Sequence, residues 1–92
     1  MIEQSRGKGE QMKNKPNQID IITGEELRKA RIKRKLSQTN IGKLAGITRQ
    51  AISNYEAGIR ALTIEELITI CENAGIDTKR LINTIIKKSK EI

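Results

Sequence analysis

Apolar residues recur every three or four positions from Thr23 to the end of the chain, a spacing that places them on one face of a helix. Short polar or glycine-containing links interrupt this pattern, and the period-two alternation of a half-buried strand is essentially missing. The pattern therefore predicts an all-α fold, a compact bundle of five helices.

Capping residues predict where the helices begin. A Ser, Thr or Asp side chain before an apolar run can accept a hydrogen bond from a first-turn amide. Thr23 with Glu26 has the spacing of a capping box, in which the two residues satisfy each other's backbone amides. Other predicted caps are Ser37, Thr48, Thr63 with Glu66, and Asp77, and glycines predict three helix ends, at Gly46, Gly58 and Gly75.

The pattern also divides the chain into three parts. Residues 1–22 are polar, contain two glycines and a proline, and are predicted to form a disordered basic tail. The tail is interpreted either as an arm that follows DNA or as a leader, and the second is the simpler interpretation. Residues 23–87 are predicted to form the folded domain, and residues 88–92 a frayed C-terminus.

Charge then narrows the classes of partner. The net charge is +7, from 18 Lys and Arg against 11 Asp and Glu. This favours a polyanion, with nucleic acid ahead of an anionic membrane surface, although the surplus could also simply maintain solubility. The chain has no His, and its one Cys, Cys71, falls on an apolar helix face. We therefore expect no disulfide, metal, cofactor or enzymatic activity, and a cytoplasmic protein.

The segment from Ser37 to Gly58 has the layout of a helix-turn-helix, with two capped helices joined at a glycine. On its second helix, Ala51, Ile52 and Tyr55 share one side and are predicted to lie in the core. The opposite side carries side chains that match the edges of bases and contains no acid. We predict that these side chains are exposed and unpaired: Arg49, Gln50, Ser53 and Asn54.

The run from Thr23 to Ile82, about two-thirds of the chain, resembles the phage-repressor (Cro/lambda-repressor, XRE-like) helix-turn-helix family. The matching pieces are "EELRKAR", "LSQ", "LAGIT", "ISNYEAG" and "TIEELITICENAGI". The resemblance implies a lambda-repressor-like DNA-binding domain whose third helix enters the major groove. It makes Arg49, Gln50, Ser53 and Asn54 the base-contacting candidates, and the phosphate-contacting candidates are Gln38, Thr48 and Arg60.

The family further implies an internal ion pair between Arg31 and Glu56, linking the first and third helices. Two departures stand out. Gly42 replaces a common alanine, and Lys35 replaces a glycine that commonly ends the first helix. We therefore expect either a strained left-handed residue at Lys35 or a different turn.

The expected function is a sequence-specific double-stranded-DNA-binding transcriptional regulator, bacterial or phage-encoded. The simplest form is a repressor bound as a homodimer to a palindromic operator, without a small-molecule ligand. The fifth helix carries Ile82, Ile85 and Ile86, which either form the dimer interface or close the core. The alternative function is a protein-interaction module, an antitoxin or an antagonist of another regulator, with the same fold.

Overall fold

The computed structural model describes residues 17–91, which form five α-helices and no strand. The predicted all-α fold is therefore confirmed for this part of the chain. The helices are α1 (Gln18–Lys33), α2 (Gln38–Ala45), α3 (Arg49–Glu56), α4 (Ile64–Ala74) and α5 (Thr78–Ser89).

The first helix begins earlier than the sequence indicated. Asn17 is its N-cap, and its Oδ1 accepts a hydrogen bond from the backbone amide of Asp20 at 2.8 Å. Thr23 lies inside α1, so the predicted capping box with Glu26 was wrong. The predicted tail, residues 1–22, is helical from Gln18 onward, so the predicted domain start at residue 23 falls inside this helix. For residues 1–16 the tail prediction lies outside the described residues.

The other predicted caps are confirmed. Ser37, Thr48 and Asp77 each accept a hydrogen bond from the amide three residues later, at 2.9–3.1 Å. Thr63 and Glu66 form the complete capping box. The predicted boundary at residue 87 falls within α5, which continues to Ser89 because its last turn is hydrogen-bonded.

Two connected apolar clusters form the core. The larger lies under α2 and α3 and is filled by aliphatic side chains around a single ring: Leu27, Ile41, Ala51, Ile52, Tyr55, Ile70 and Ala74. The smaller joins α4 and α5 and consists of Leu67, Cys71, Leu81 and Ile85. Cys71 is a free, buried thiol, in agreement with its predicted place on an apolar helix face, and burial raises its pKa.

Gly24 sets the distance between α1 and α3. A β-carbon at this position would overlap the carbonyl oxygen of Tyr55 and lie 2.8 Å from that of Glu56. The backbones of the two helices are therefore in direct contact, which only glycine permits because it has no β-carbon. This close crossing fixes the position of the C-terminal end of α3.

Both departures from the family pattern have structural consequences. Lys35 has φ 60°, so the first of the two expected alternatives, a left-handed residue, is the one found. This conformation costs a side-chain-bearing residue more than glycine. At Gly42 a β-carbon would overlap the carbonyl oxygen of Ile47 in the turn after α2. An alanine there would push the turn away, so this glycine is part of how α2 meets α3.

Within residues 17–91, none of the helices is both long and apolar enough to cross a membrane. The same residues contain no group of carboxylate, thiol or imidazole side chains arranged to hold a metal ion.

Candidate nucleic-acid interface

The turn between α2 and α3 is short and tightly bonded. Gly46 ends α2 in the left-handed conformation with φ 71°, and the amide of Ile47 donates to the carbonyl of Gly42 at 2.8 Å. Thr48 then caps α3. This geometry satisfies the last carbonyls of α2 and turns the chain directly into the next helix.

The third helix divides as its sequence predicted. Ala51, Ile52 and Tyr55 are 9%, 0% and 2% exposed and pack into the larger core cluster. On the opposite side the predicted exposure is found for two side chains, whereas Ser53 and Asn54 are only half-exposed. The four side chains together define the reading surface: Arg49, Gln50, Ser53 and Asn54.

Three of these four side chains are hydrogen-bonded, so the prediction that they are unpaired was wrong. Arg49 donates from Nη1 to Oε1 of Gln38 at 3.3 Å. Gln50 donates from Nε2 to Oδ1 of Asn54 at 3.3 Å, one turn along the helix. Both bonds are long and at exposed sites, so they orient the side chains weakly.

Arg31 and Glu56 lie in contact beneath the reading surface. Arg31 donates from Nε to Glu56 Oε2 at 2.6 Å and from Nη2 to Oε1 at 3.0 Å. The third guanidinium nitrogen donates to the carbonyl of Leu36 at 2.8 Å. The two side chains are only 11% and 3% exposed. This bidentate pair ties α1, the turn after it and the end of α3 together.

Gln38 connects the buried pair to the reading surface. Its Nε2 donates to Glu56 Oε1 at 3.1 Å, which leaves its Oε1 turned toward the Arg49 guanidinium. A single amide therefore links a buried carboxylate to an exposed guanidinium. Because Glu56 accepts from the NH₂ group, it selects which end of the amide faces Arg49.

Arg60 lies in the loop after α3 and is held on two sides. Its guanidinium sits 5.1 Å from the centre of the Tyr55 ring and 3.9 Å from Glu66 Oε2. The Tyr55 hydroxyl donates to the same carboxylate at 3.0 Å, and burial together with this bond raises the pKa of Tyr55. The Arg60 side chain is still 54% exposed, so its charge faces solvent.

The electrostatics of residues 37–60 suit a polyanion. Glu56 is the only acid in this range, and it is buried and paired with Arg31. The start of α3 adds the positive end of the helix dipole, carried by its first backbone amides, to this surface. The exposed Thr48 hydroxyl lies beside it. Nothing acidic is exposed here to repel phosphates.

Gly24 and Leu36 contribute to this arrangement and were missed by the sequence analysis. Gly24 allows α1 to pack directly against the end of α3, and the Leu36 carbonyl accepts a hydrogen bond from the third guanidinium nitrogen of Arg31. A glycine inside a helical pattern was the only sequence signal for the first. A backbone carbonyl leaves no signal at all.

The curated proteins that the chain resembles in sequence are HTH-type transcriptional regulators. Over 79 residues the chain is 28% identical to an uncharacterized HTH-type transcriptional regulator, y4wC, of Sinorhizobium fredii, covering 86% of this chain and 55% of that protein. Over 60 residues it is 38% identical to another, R00410, of Rhizobium meliloti, covering 65% of this chain and 43% of that protein. The chain thus spans about half the length of the curated relatives it matches.

Solved structures share the fold. The restriction-modification controller protein C.AhdI from Aeromonas hydrophila superposes with a TM-score of 0.64 at 24% identity, over 67% of this chain and 90% of that chain. The clp gene regulator ClgR from C. glutamicum gives a TM-score of 0.72 at 15% identity, over 78% and 94%.

A protein family described as helix-turn-helix matches residues 27–81, which include α2, the turn, α3 and α4. The matched range holds the reading surface and both members of the buried ion pair. The chain therefore belongs to the XRE-like helix-turn-helix family, which consists of transcriptional regulators and not of enzymes.

Proposed function

We propose that this protein is a sequence-specific regulator that inserts α3 into the major groove of double-stranded DNA. The observation that carries the proposal is the composition of the exposed side of α3: Arg, Gln, Ser and Asn, with no exposed acid within residues 37–60. Each of these side chains matches a donor and acceptor pattern on a base edge in the major groove. A helix face that served only solubility would more often carry pairs of Glu and Lys.

Arg49 is assigned to a guanine. It uses one of its five N–H donors on Gln38, so the remaining donors are available for the O6 and N7 acceptors of that base. The bond to the Gln38 carbonyl is long and exposed, so Arg49 can exchange it for a contact to a base at little cost.

Gln50 and Asn54 are assigned to act together. Their mutual hydrogen bond uses one donor and one acceptor and leaves an Oε1 and an Nδ2 group facing solvent. Both amide types pair with adenine, and Ser53 between them accepts or donates to either base of a pair.

Phosphate contacts are assigned to the two edges of the reading surface. Three hydrogen-bond donors are available there: the second Nε2 hydrogen of Gln38, the Thr48 hydroxyl and the Arg60 guanidinium. Such contacts position the protein on the duplex without reading its sequence.

Dimer formation is part of the proposal because a domain of this size makes too few contacts for tight specific binding alone. A two-fold dimer would bind a palindromic operator with half-sites about 34 Å apart. Ile85 is 8% exposed and closes the core, whereas Ile86 is 46% exposed and Ile82 is half-buried. Ile82 and Ile86 are therefore the candidate dimer contacts on α5. Repression is the simplest outcome, since a bound dimer blocks the DNA it covers.

Selection from a random duplex pool tests the proposal directly. We expect enrichment of an inverted repeat, and two chains per duplex when the stoichiometry is measured on the winning sequence. Enrichment of a single half-site would contradict the dimer. Failure to retard any duplex would contradict DNA reading itself and favour a protein-interaction module.

A further inference from the structure

Most of the positive charge in residues 17–91 lies away from the reading surface. Between residues 37 and 60 the only Lys and Arg are Lys43, Arg49 and Arg60. The remaining basic residues of the described chain belong to α1, to α5 and to the turns that follow these two helices. Base reading by α3 does not account for this concentration.

A groove of about 370 Å³ runs between α1 and α5. The helices are antiparallel, since Glu26 near the middle of α1 meets Lys88 at the end of α5, and Arg34 after α1 lies against Gly75 before α5. The floor of the groove is apolar and is formed by Ala30, Ile76 and Leu81. No residue of α2 or α3 lines it.

Four exposed cations form the rim: Lys29, Lys33, Arg34 and Arg80. None of the ion pairs within residues 17–91 involves Lys33, Arg34 or Arg80. From Lys29 to Arg34 the charges follow α1 for about 7 Å instead of converging on one point. A rim of this shape suits a row of anions.

Both acids that line the groove are already engaged. Glu26 is 7% exposed and accepts from Lys88 at 2.7 Å and from Lys29 at 3.3 Å. Asp77 caps α5 by accepting from the Arg80 amide. Glu26 offsets part of the charge of Lys29, and Asp77 adds one exposed negative charge, but the four rim cations outnumber these two acids. The groove as a whole therefore presents positive charge around an apolar floor.

We propose that this groove docks an acidic amphipathic helix of another protein, with apolar side chains on the floor and carboxylates along the rim. Helix-in-groove recognition uses this combination. A DNA duplex presents phosphates and no apolar face for the floor, and a small anion would leave both the floor and part of the rim unused. A second copy of the chain is assigned to Ile82 and Ile86 of α5, and neither residue lines this groove.

A synthetic pair of peptides tests the proposal with the whole chain. In the first, leucines at i, i+3, i+4 and i+7 share one side of a glutamate-rich helix, and in the second the same residues are scrambled. Fluorescence anisotropy should show binding of the amphipathic peptide at least about tenfold tighter than the scrambled one, because only the former places leucines on the floor. Equal affinities would overturn the proposal.

Arg80→Glu and Lys79→Glu form a matched pair of variants. Both sit in the first turn of α5, where a new acid is compatible with the helix dipole, but only Arg80 lines this groove. Arg80→Glu should weaken the amphipathic peptide about tenfold, and Lys79→Glu no more than about threefold. Equal losses would show that the peptide responds to the overall charge of the protein and not to this groove, and would overturn the proposal.

The same two variants exclude the other occupants. On the selected operator, Arg80→Glu and Lys79→Glu should have equal, small effects. A selective loss of DNA affinity in Arg80→Glu would assign the groove to phosphates. A selective change of its sedimentation from dimer to monomer would assign the groove to a second copy. Either result would overturn the acidic-helix proposal, and neither would affect the assignment of Arg49 as a base-reading residue.

Discussion

Glu26 and Glu56 are equally buried acids, 7% and 8% exposed, but they are held in different ways. Glu56 meets Arg31, whose side chain is 11% exposed, through two parallel hydrogen bonds. Glu26 meets Lys88 and Lys29, whose side chains are 41% and 61% exposed. One pair anchors α3 and the other anchors the end of α5.

The difference indicates that the burial of an acid does not by itself determine how much stability is lost when that acid is removed. If Glu56 is removed, Arg31 is left as a buried charge without its partner. If Glu26 is removed, both lysines can turn into water. We therefore infer that the α3 junction is the more costly of the two to disturb, which suits the helix whose position determines base reading.

Glu56→Ala gives the largest expected effect. It should reduce the free energy of unfolding by about 3–5 kcal/mol, because the Arg31 guanidinium remains desolvated. Urea denaturation, with Glu65→Ala as the control at an exposed position of α4, measures the difference. Equal losses in the two variants would show that the buried pair has no special role.

Glu26→Ala should cost less, about 1 kcal/mol, although its carboxylate is as buried as that of Glu56. Its neighbour Glu25 is exposed in the same turn of α1, so Glu25→Ala is the matched control and should change stability by less than about 0.5 kcal/mol. A loss at Glu26 as large as that at Glu56 would refute the argument from solvent access of the partner.

Acidification gives the smallest effect. Burial opposes ionisation of Glu26, but hydrogen bonds from Lys88 and Lys29 outweigh it and lower its pKa. A lowered folded-state pKa means stability that is present above the unfolded pKa and lost as the pH falls through the folded one. The stability advantage of the wild type over Glu26→Gln should therefore shrink between about pH 5 and pH 3. Denaturation at a series of pH values measures it, and a constant difference would contradict the lowered pKa.

The sequence was most informative where the signal is local. Ser37, Thr48, Thr63 and Asp77 cap helices through bonds to amides three residues away, so their spacing alone identifies them. The start of α1 was misassigned because Glu26 has capping-box spacing from Thr23. Its real partner, Lys88, lies 62 residues away, and no local pattern indicates that contact.

In the candidate site, too, the local features were predictable from the sequence and the contacts between helices were not. The split of α3 into a core side and an exposed side follows from helical periodicity and was predictable. Gln38 donates to Glu56 and accepts from Arg49, and both bonds depend on how α2 meets α3. The position of α3 in turn depends on Gly24 of α1. These are tertiary contacts between separate helices, so they could be seen only in the folded chain.

The most direct measurement of base reading compares Arg49→Ala with Arg60→Ala on the selected operator and on random duplex. Arg49→Ala should lose about 1–3 kcal/mol on the operator and relax discrimination at one base pair. Arg60→Ala should weaken both duplexes equally and reduce the salt dependence by about one unit of slope. If both variants keep the wild-type ratio between operator and random duplex, α3 does not read sequence through Arg49.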